Sequence, residues 1–196
     1  MIDPSFFSYV TVMSITPGPN NLLLATSGVN FGLRRTLPMV GGILLGCVIQ
    51  LLLMALALEL LLGWMAQMRL PLTLLGCSWL LWLSWKIWRA SAPTLAARQR
   101  PMSTLGGALF QAVNPKAWLM VSNVALLYIA DNGVMTVLAG YALLNLPCIL
   151  LWAMLGERMR VLLDIDWKRR LFNGVMATSL ALTALWMLYD AWGAPL

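Results

Sequence analysis

The hydrophobic positions of this chain form long continuous runs, instead of the alternation of a half-buried strand or the narrow stripe of a soluble helix. An apolar run of about twenty residues is long enough for an α-helix to cross the hydrocarbon core of a bilayer. We therefore predict an all-α integral membrane protein with six transmembrane helices. The predicted spans are 5–29, 38–62, 71–90, 104–130, 134–156 and 172–191.

Glycine and proline separate the runs, as is typical of connections between helices. The fifth connection, 157–170, mixes apolar residues with charges and is expected to lie in the membrane interface. The other four connections are marked by Gly32 with Pro38, Gly63 with Pro71, Pro93 with Pro101, and Asn132-Gly133.

Two of the predicted spans contain helix-breaking residues near their centres. Span one contains Thr16-Pro17-Gly18-Pro19-Asn20-Asn21, and span four contains Asn114-Pro115-Lys116. Because proline has no N–H, these prolines leave the carbonyls of residues 13, 15 and 111 without helical partners. Lipid offers no donor in exchange, so interrupted backbone at this depth is tolerated only inside protein or beside a wet cavity. We predict that helices one and four are broken beside a functional cavity; the alternative is that the prolines only kink two helices.

The composition and the charges add an orientation. With 61% hydrophobic and 10% charged residues, the chain is not a soluble globular protein. Most of the 13 basic residues fall in connections one, three and five, whereas connections two and four are nearly free of them. The positive-inside rule then places connections one, three and five in the cytoplasm and both termini outside. The net charge of +6 is explained by this orientation, so nucleic-acid binding is not indicated.

The spacing of the two breaks indicates an internal repeat. Pro17 and Pro115 lie 98 residues apart, which is half of the 196-residue chain. Each half holds three predicted helices, an odd number, so the halves enter the membrane from opposite sides. We predict one transmembrane domain, 1–196, composed of two inverted three-helix repeats, 1–98 and 99–196. Paired broken helices in inverted repeats are typical of secondary transporters that bind substrate near the midplane.

The polar residues of the two broken helices suit a small zwitterion. Restarted helices expose N–H groups that favour an anion, while freed carbonyls and amide oxygens favour an ammonium group. Lys116 is the only charge predicted deep in the membrane, and it is a candidate partner for a substrate carboxylate; a lysine that snorkels to the interface is the alternative. The candidate substrate-binding residues are Thr16, Pro17, Gly18, Pro19, Asn20, Asn21, Gln111, Asn114, Pro115 and Lys116.

Further polar and sulfur groups leave alternatives open. Gln50 and Asn145 are expected to line the same cavity, or else to form ordinary hydrogen bonds between helices. The cysteines are isolated and the chain has no histidine, so no metal site and no cofactor are predicted. Nothing resembles a nucleophile with its base, and we predict that the chain is not an enzyme.

With these segments in view, the chain resembles the lysine exporter and homoserine/threonine exporter (LysE/RhtB) family of bacterial amino-acid exporters. The Asn20-Asn21 form is similar to the subgroup that includes cysteine and O-acetylserine exporters; many other relatives have an aspartate after the Pro-Gly-Pro. The resemblance covers almost the full length and rests on segment 16–21, Gly32 with Arg34, Gly41-Gly42 with Gly46, segment 80–89, and Asn114-Pro115-Lys116-Ala117.

The resemblance implies secondary active export of amino acids or close derivatives across the bacterial inner membrane, driven by the proton gradient. It implies a small zwitterionic amino acid and protons as partners, with the lipid bilayer as surroundings, and leaves the oligomeric state open. Two alternatives from other classes are a membrane thiol–disulfide carrier, which needs paired cysteines, and a metal-ion exporter.

Overall fold

The fold was analysed in a computed structural model, which describes residues 3–89, 101–163 and 165–193. Within these ranges the chain forms eight α-helices and no strand, so the predicted all-α class is confirmed. The helices are α1 Pro4–Ile15, α2 Pro19–Phe31, α3 Leu33–Leu56, α4 Leu58–Arg89, α5 Thr104–Ala112, α6 Pro115–Asn132, α7 Val134–Leu162 and α8 Asp166–Gly193.

Four helical stretches of the described chain are long and apolar enough to cross a bilayer, and the chain is a membrane protein. They are Leu33–Leu56, Leu70–Arg89, Val134–Arg160 and Asp166–Ala191. The two other predicted spans, 5–29 and 104–130, each consist of two shorter helices in succession, α1 with α2 and α5 with α6.

Proline chemistry explains where the two pairs divide. After α1 ends at Ile15, Gly18 is fully extended, with φ −177° and ψ 178°, and Pro19 is the first residue of α2. Asn114 is also extended, and Pro115 is the first residue of α6. Proline suits the first position of a helix because that N–H has no helical acceptor. The prolines therefore end one helix and begin the next.

Several predicted boundaries are wrong, because an isolated proline does not end a long membrane helix. Pro38 lies inside α3 and Pro71 inside α4. The connection predicted at 63–71 is instead the single residue Ala57, where α3 ends. Helix α7 continues through most of the first half of segment 157–170 and α8 begins at Asp166, so a separate interfacial piece is not formed. The third predicted connection, apart from Pro101, lies outside the described residues.

Glycines on α3 bring the backbone of α5 into direct contact. A Cβ atom at Gly42 would collide with the carbonyl oxygen of Thr104 and lie 2.8 Å from its carbonyl carbon. A Cβ at Gly46 would lie 2.7 Å from the backbone oxygen of Ala108 and from Cγ of Gln111. These glycines therefore set the depth at which α5, and with it Gln111, sits against α3.

Helices α2 and α7 meet in the same way. A Cβ at Gly28 would collide with the carbonyl of Ala153, and one at Gly156 with the carbonyl of Ala25. Gly32 has a different role, because it connects α2 to α3 with a positive φ of 80° that other residues rarely adopt. Nearby, the carboxylate of Glu157 on α7 accepts the backbone N–H of Leu33 at 3.0 Å and caps the start of α3.

Adjacent glycines on α3 provide a matched test of this packing. We expect Gly42→Ala to lower the free energy of unfolding by about 1–3 kcal/mol, because the added methyl group has no space. Gly41→Ala meets no atom within 4 Å and is expected to be neutral or to stabilise by up to about 1 kcal/mol. Thermal unfolding of both variants in the same detergent measures the difference. Equal melting temperatures would contradict the close approach of α3 and α5.

Candidate substrate site

The two helix breaks are joined directly by a reciprocal pair of carboxamides. Asn20, in the first turn of α2, donates from Nδ2 to Oε1 of Gln111 at 2.9 Å. Gln111, at the end of α5, donates from Nε2 to Oδ1 of Asn20 at 3.1 Å. Residues 91 positions apart are thereby held side by side, each satisfying a donor and an acceptor of the other.

Asn114 and Gln50 extend this carboxamide network. Asn114 donates from Nδ2 to Oδ1 of Asn20 at 3.0 Å and to Oε1 of Gln111 at 3.2 Å. Gln50 on α3 donates from Nε2 to the backbone oxygen of Gln111 at 2.7 Å. Gln111 is 0% exposed and Asn114 2%. The network is thus a buried polar contact between α2, α3 and the α5–α6 break.

Side chains from other elements satisfy the carbonyls that the breaks release. The indole of Trp152 donates to the carbonyl of Ile15 at 3.0 Å, and the indole of Trp118 donates to the carbonyl of Ala112 at 2.8 Å. Asn21 donates to the carbonyls of Ser14 and Thr16 at 2.8 and 2.9 Å. The carbonyl of Ile15, one of those expected to suit a substrate ammonium, therefore already has a donor in Trp152 and does not depend on a substrate for a partner.

Lys116 reaches from α6 to the end of α1. Its Nζ donates to the carbonyl of Thr16 at 2.8 Å and to that of Pro17 at 3.3 Å. The carboxyl end of a helix carries partial negative charge, which stabilises a nearby cation. The stem of Lys116 passes Gly18 so closely that a Cβ there would lie 2.8 Å from Cδ. The lysine is therefore packed against the first break.

A small polar cavity lies at the junction of the breaks. Its volume is about 30 Å³, enough for one or two water molecules. Its lining comprises Gly18, Pro19, Asn20, Asn21, Asn114, Lys116 and Asn145 among the predicted residues, together with Met13, Ser14, Cys47, Ala117, Met120, Tyr141 and Ile149.

A larger cavity of about 750 Å³ adjoins the small one, because Gly18, Pro19 and Lys116 line both. It lies between the two broken helices and the α4–α8 pair, which contributes Leu72 and Trp186 among others. This volume falls within the range of small-molecule sites. Lys116 and the first break thus form the boundary between a wide space and a narrow polar one.

The remaining predicted site residues lie around these cavities in different ways. Pro17 and Pro115 line the larger cavity. Thr16 is exposed, and its hydroxyl donates to the carbonyl of Val12. Lys116 binds the backbone carbonyl of Thr16 and not its side chain. Gln50 and Gln111 lie in the carboxamide network and not in the lining of either cavity.

Sequence reasoning missed Ser14 and Tyr141. The position of Tyr141 in the cavity lining could have been predicted from the sequence. Tyr141, Asn145 and Ile149 are spaced by four residues on α7, so they lie on one helical face. Ser14 lies seven residues before Asn21, but the break between them removes any helical periodicity.

Within the described ranges, the cysteines and carboxylates form no cluster. No group of three metal-ligating side chains is present among the described residues. The three cysteines are free and buried, and their sulfur atoms have separate neighbours, Gln111 for Cys47, Ala184 for Cys77 and Thr11 for Cys148.

Comparison with known proteins identifies the family. The model of the LysE type translocator family matches residues 11–191, nearly the whole chain. The chain belongs to this family. A LysE type translocator moves a solute across a membrane, so the family indicates a transporter and not an enzyme, and the resemblance found in the sequence is confirmed.

Curated relatives of this LysE family protein carry a more specific name. It is similar to cysteine/O-acetylserine efflux proteins of Klebsiella pneumoniae, at 31% identity over 57% of each chain, and of Escherichia coli, at 33% identity over 57% of each chain. A protein of the same name from Salmonella choleraesuis is 32% identical over 59% of this chain and 60% of its own. The alignments thus span about three fifths of these relatives' length. No solved structure matches the chain.

Removing the centre of the carboxamide network tests its contribution to the fold. We expect Gln111→Leu to lower the free energy of unfolding by about 1–3 kcal/mol, because Asn20 and Asn114 lose buried partners. Asn123→Leu is the control, since the Asn123 amide donates only to Leu119 of its own helix. Thermal unfolding in detergent compares the two. A Gln111 variant as stable as the control would show that the amide pair does not hold the breaks together.

Proposed function

We propose that this protein is a secondary active exporter of small neutral amino acids or close derivatives across the bacterial inner membrane. The class of solute is that named for its relatives, cysteine and O-acetylserine. The observation that carries the proposal is the meeting of two helix breaks, one from each half, at a buried polar cavity with a single cation. Because the chain contains no phosphate-binding loop, we propose that the proton gradient supplies the energy.

The helix contacts support two inverted repeats within one transmembrane domain, 1–98 and 99–196. The first broken pair, α1 and α2, packs against α7 of the second half, and the second pair, α5 and α6, packs against α3 of the first half. The last helices of the two halves, α4 and α8, pack against each other. Each half thus makes the same kinds of contact with the other half. Counting each broken pair as one span gives three spans in each half, and six in total.

The carboxylate of the substrate is proposed to bind at the first break. Pro19 has no N–H and Leu22 donates to Gly18, so the first turn of α2 leaves the N–H groups of Asn20 and Asn21 outside its own ladder. These donors, the positive end of α2 and Lys116 together suit an anion. A bound carboxylate replaces the carbonyls of Thr16 and Pro17 as the partner of Lys116.

Transport on this proposal requires the narrow cavity to widen. At about 30 Å³ it is too small for an amino acid, whereas the adjoining cavity is large enough. Because Lys116 belongs to the lining of both, its release from the carbonyls of Thr16 and Pro17 is proposed to connect the two spaces. In the state described here, the polar cavity is therefore too narrow to hold the substrate.

Replacement of Lys116 tests its role in export. We expect Lys116→Met to reduce efflux of cysteine from preloaded cells at least about tenfold, because a charge-assisted hydrogen bond to the substrate is lost. Lys168→Met, which removes a cation beside Trp167 on α8, is the control and should export normally. Efflux is measured at equal amounts of protein in the membrane. Normal export by the Lys116 variant would remove this lysine from the mechanism.

The proposed orientation has both termini outside the inner membrane. Alkaline phosphatase is active only on the outer side, so a fusion after Leu196 should be active and a fusion after Arg170 should be at least about tenfold less active. Green fluorescent protein at the same two positions provides the reciprocal readout. The opposite pattern would reverse the orientation taken from the basic connections.

A further inference from the structure

We propose that Ser14, Asn114 and Asn145 form the subsite that holds the ammonium group of the substrate. This inference rests on the proposed function and extends it, since it determines which way the zwitterion lies in the polar cavity. All three side chains line that cavity and are at most 5% exposed.

Asn114 presents an acceptor whose identity is determined by its other hydrogen bonds. Both bonds of its Nδ2 run to carboxamide oxygens, of Asn20 and Gln111, so the nitrogen cannot exchange places with the oxygen. Oδ1 is therefore the atom left over, and it is buried without a partner among the described residues. A buried acceptor in this condition is costly unless a donor fills it.

Ser14 and Asn145 add polar groups of the same kind. The Ser14 hydroxyl is buried and has no hydrogen-bond partner in the described part of the chain. Asn145 is 4% exposed, and it lines the same small cavity. Two buried polar atoms without a partner, Ser14 Oγ and Asn114 Oδ1, thus line one small space together with the carboxamide of Asn145.

The charge distribution around the cavity selects an ammonium group for these atoms. Lys116 and the N–H groups at the start of α2 are donors and favour the carboxylate. Asn114 Oδ1 accepts only, and a hydroxyl and a carboxamide accept readily. An ammonium group offers three donors, so it satisfies Ser14, Asn114 and Asn145 together. Because Lys116 is the sole charged residue in the lining, the side chain of the substrate is expected to be uncharged.

The test compares substrate analogues in proteoliposomes that contain the purified full-length chain. Counterflow of labelled L-cysteine is measured under reducing conditions, with two unlabelled competitors. One is 3-mercaptopropionate, which is cysteine without its ammonium group, and the other is cysteamine, which is cysteine without its carboxylate. The preference for cysteine over each competitor is the measured quantity.

We expect Ser14→Ala to reduce the preference for cysteine over 3-mercaptopropionate about tenfold, the usual effect of losing one hydrogen bond to a charged group. The preference over cysteamine should not change, because the carboxylate subsite is intact. Asn145→Leu should give the same result. It is a second, independent variant, so the test does not depend on the correct folding of Ser14→Ala alone. Ser8→Ala, on the exposed face of α1, is the control and should match the wild type.

Each other outcome has a definite meaning. Unchanged preferences in both variants would show that water alone satisfies these side chains, and would overturn the inference while leaving export intact. A loss of preference over cysteamine instead would reverse the direction of the substrate and overturn it as well. If the wild-type protein exchanges no small neutral amino acid, the proposed function fails, and the subsite with it.

Discussion

Every carbonyl and N–H group of a chain inside a bilayer requires a partner from the protein itself, and the rest of this structure depends on that requirement. The breaks at Pro17 and Pro115 remove helical hydrogen bonds, and Trp152, Trp118 and Asn21 replace them. Gln50 does the same for Gln111. These capping side chains come from helices far apart in sequence, so the breaks persist only while the helices are packed together. Asn21 donates to carbonyls at the first break and also lines the polar cavity. The same residue therefore stabilises the break and helps to form the candidate site.

Much of the fold was predictable because helix breaking by Pro-Gly-Pro and Asn-Pro is a local property. Both breaks lie where the prolines place them. The helix boundaries that were predicted wrongly were those assigned to isolated prolines. Pro38 and Pro71 lie within continuous helices. A long helix tolerates one proline when neighbouring groups satisfy the freed carbonyl, and the sequence does not show those neighbours. The turn at Ala57 was missed for the opposite reason, because no glycine or proline marks it.

The proximity of the polar residues beside the two breaks was predictable from the sequence, and their detailed arrangement was less so. The polar residues beside the breaks lie together, and Lys116 lies against the first break, because both breaks open at the same small cavity. The pairing of Asn20 with Gln111 depends on how α5 seats against Gly42 and Gly46, which is a tertiary property. Gln50 faces a backbone carbonyl and lies outside the cavity lining for the same reason. Ser14 gave no signal, since a single serine in an apolar helix is ordinarily bonded to its own backbone.

The anchoring of Lys116 has a consequence for which substitutions this chain tolerates. Its two acceptors, on Thr16 and Pro17, are main-chain atoms, which every residue type carries. Replacing the Thr16 side chain therefore leaves both acceptors of Lys116 in place. An acidic side chain as partner would instead be lost by a single substitution. The interaction depends instead on the path of the main chain, which Pro17 and Pro19 impose. Position 16 is thus expected to accept other side chains, whereas the route of the main chain through 17–19 depends on Pro17 and Pro19.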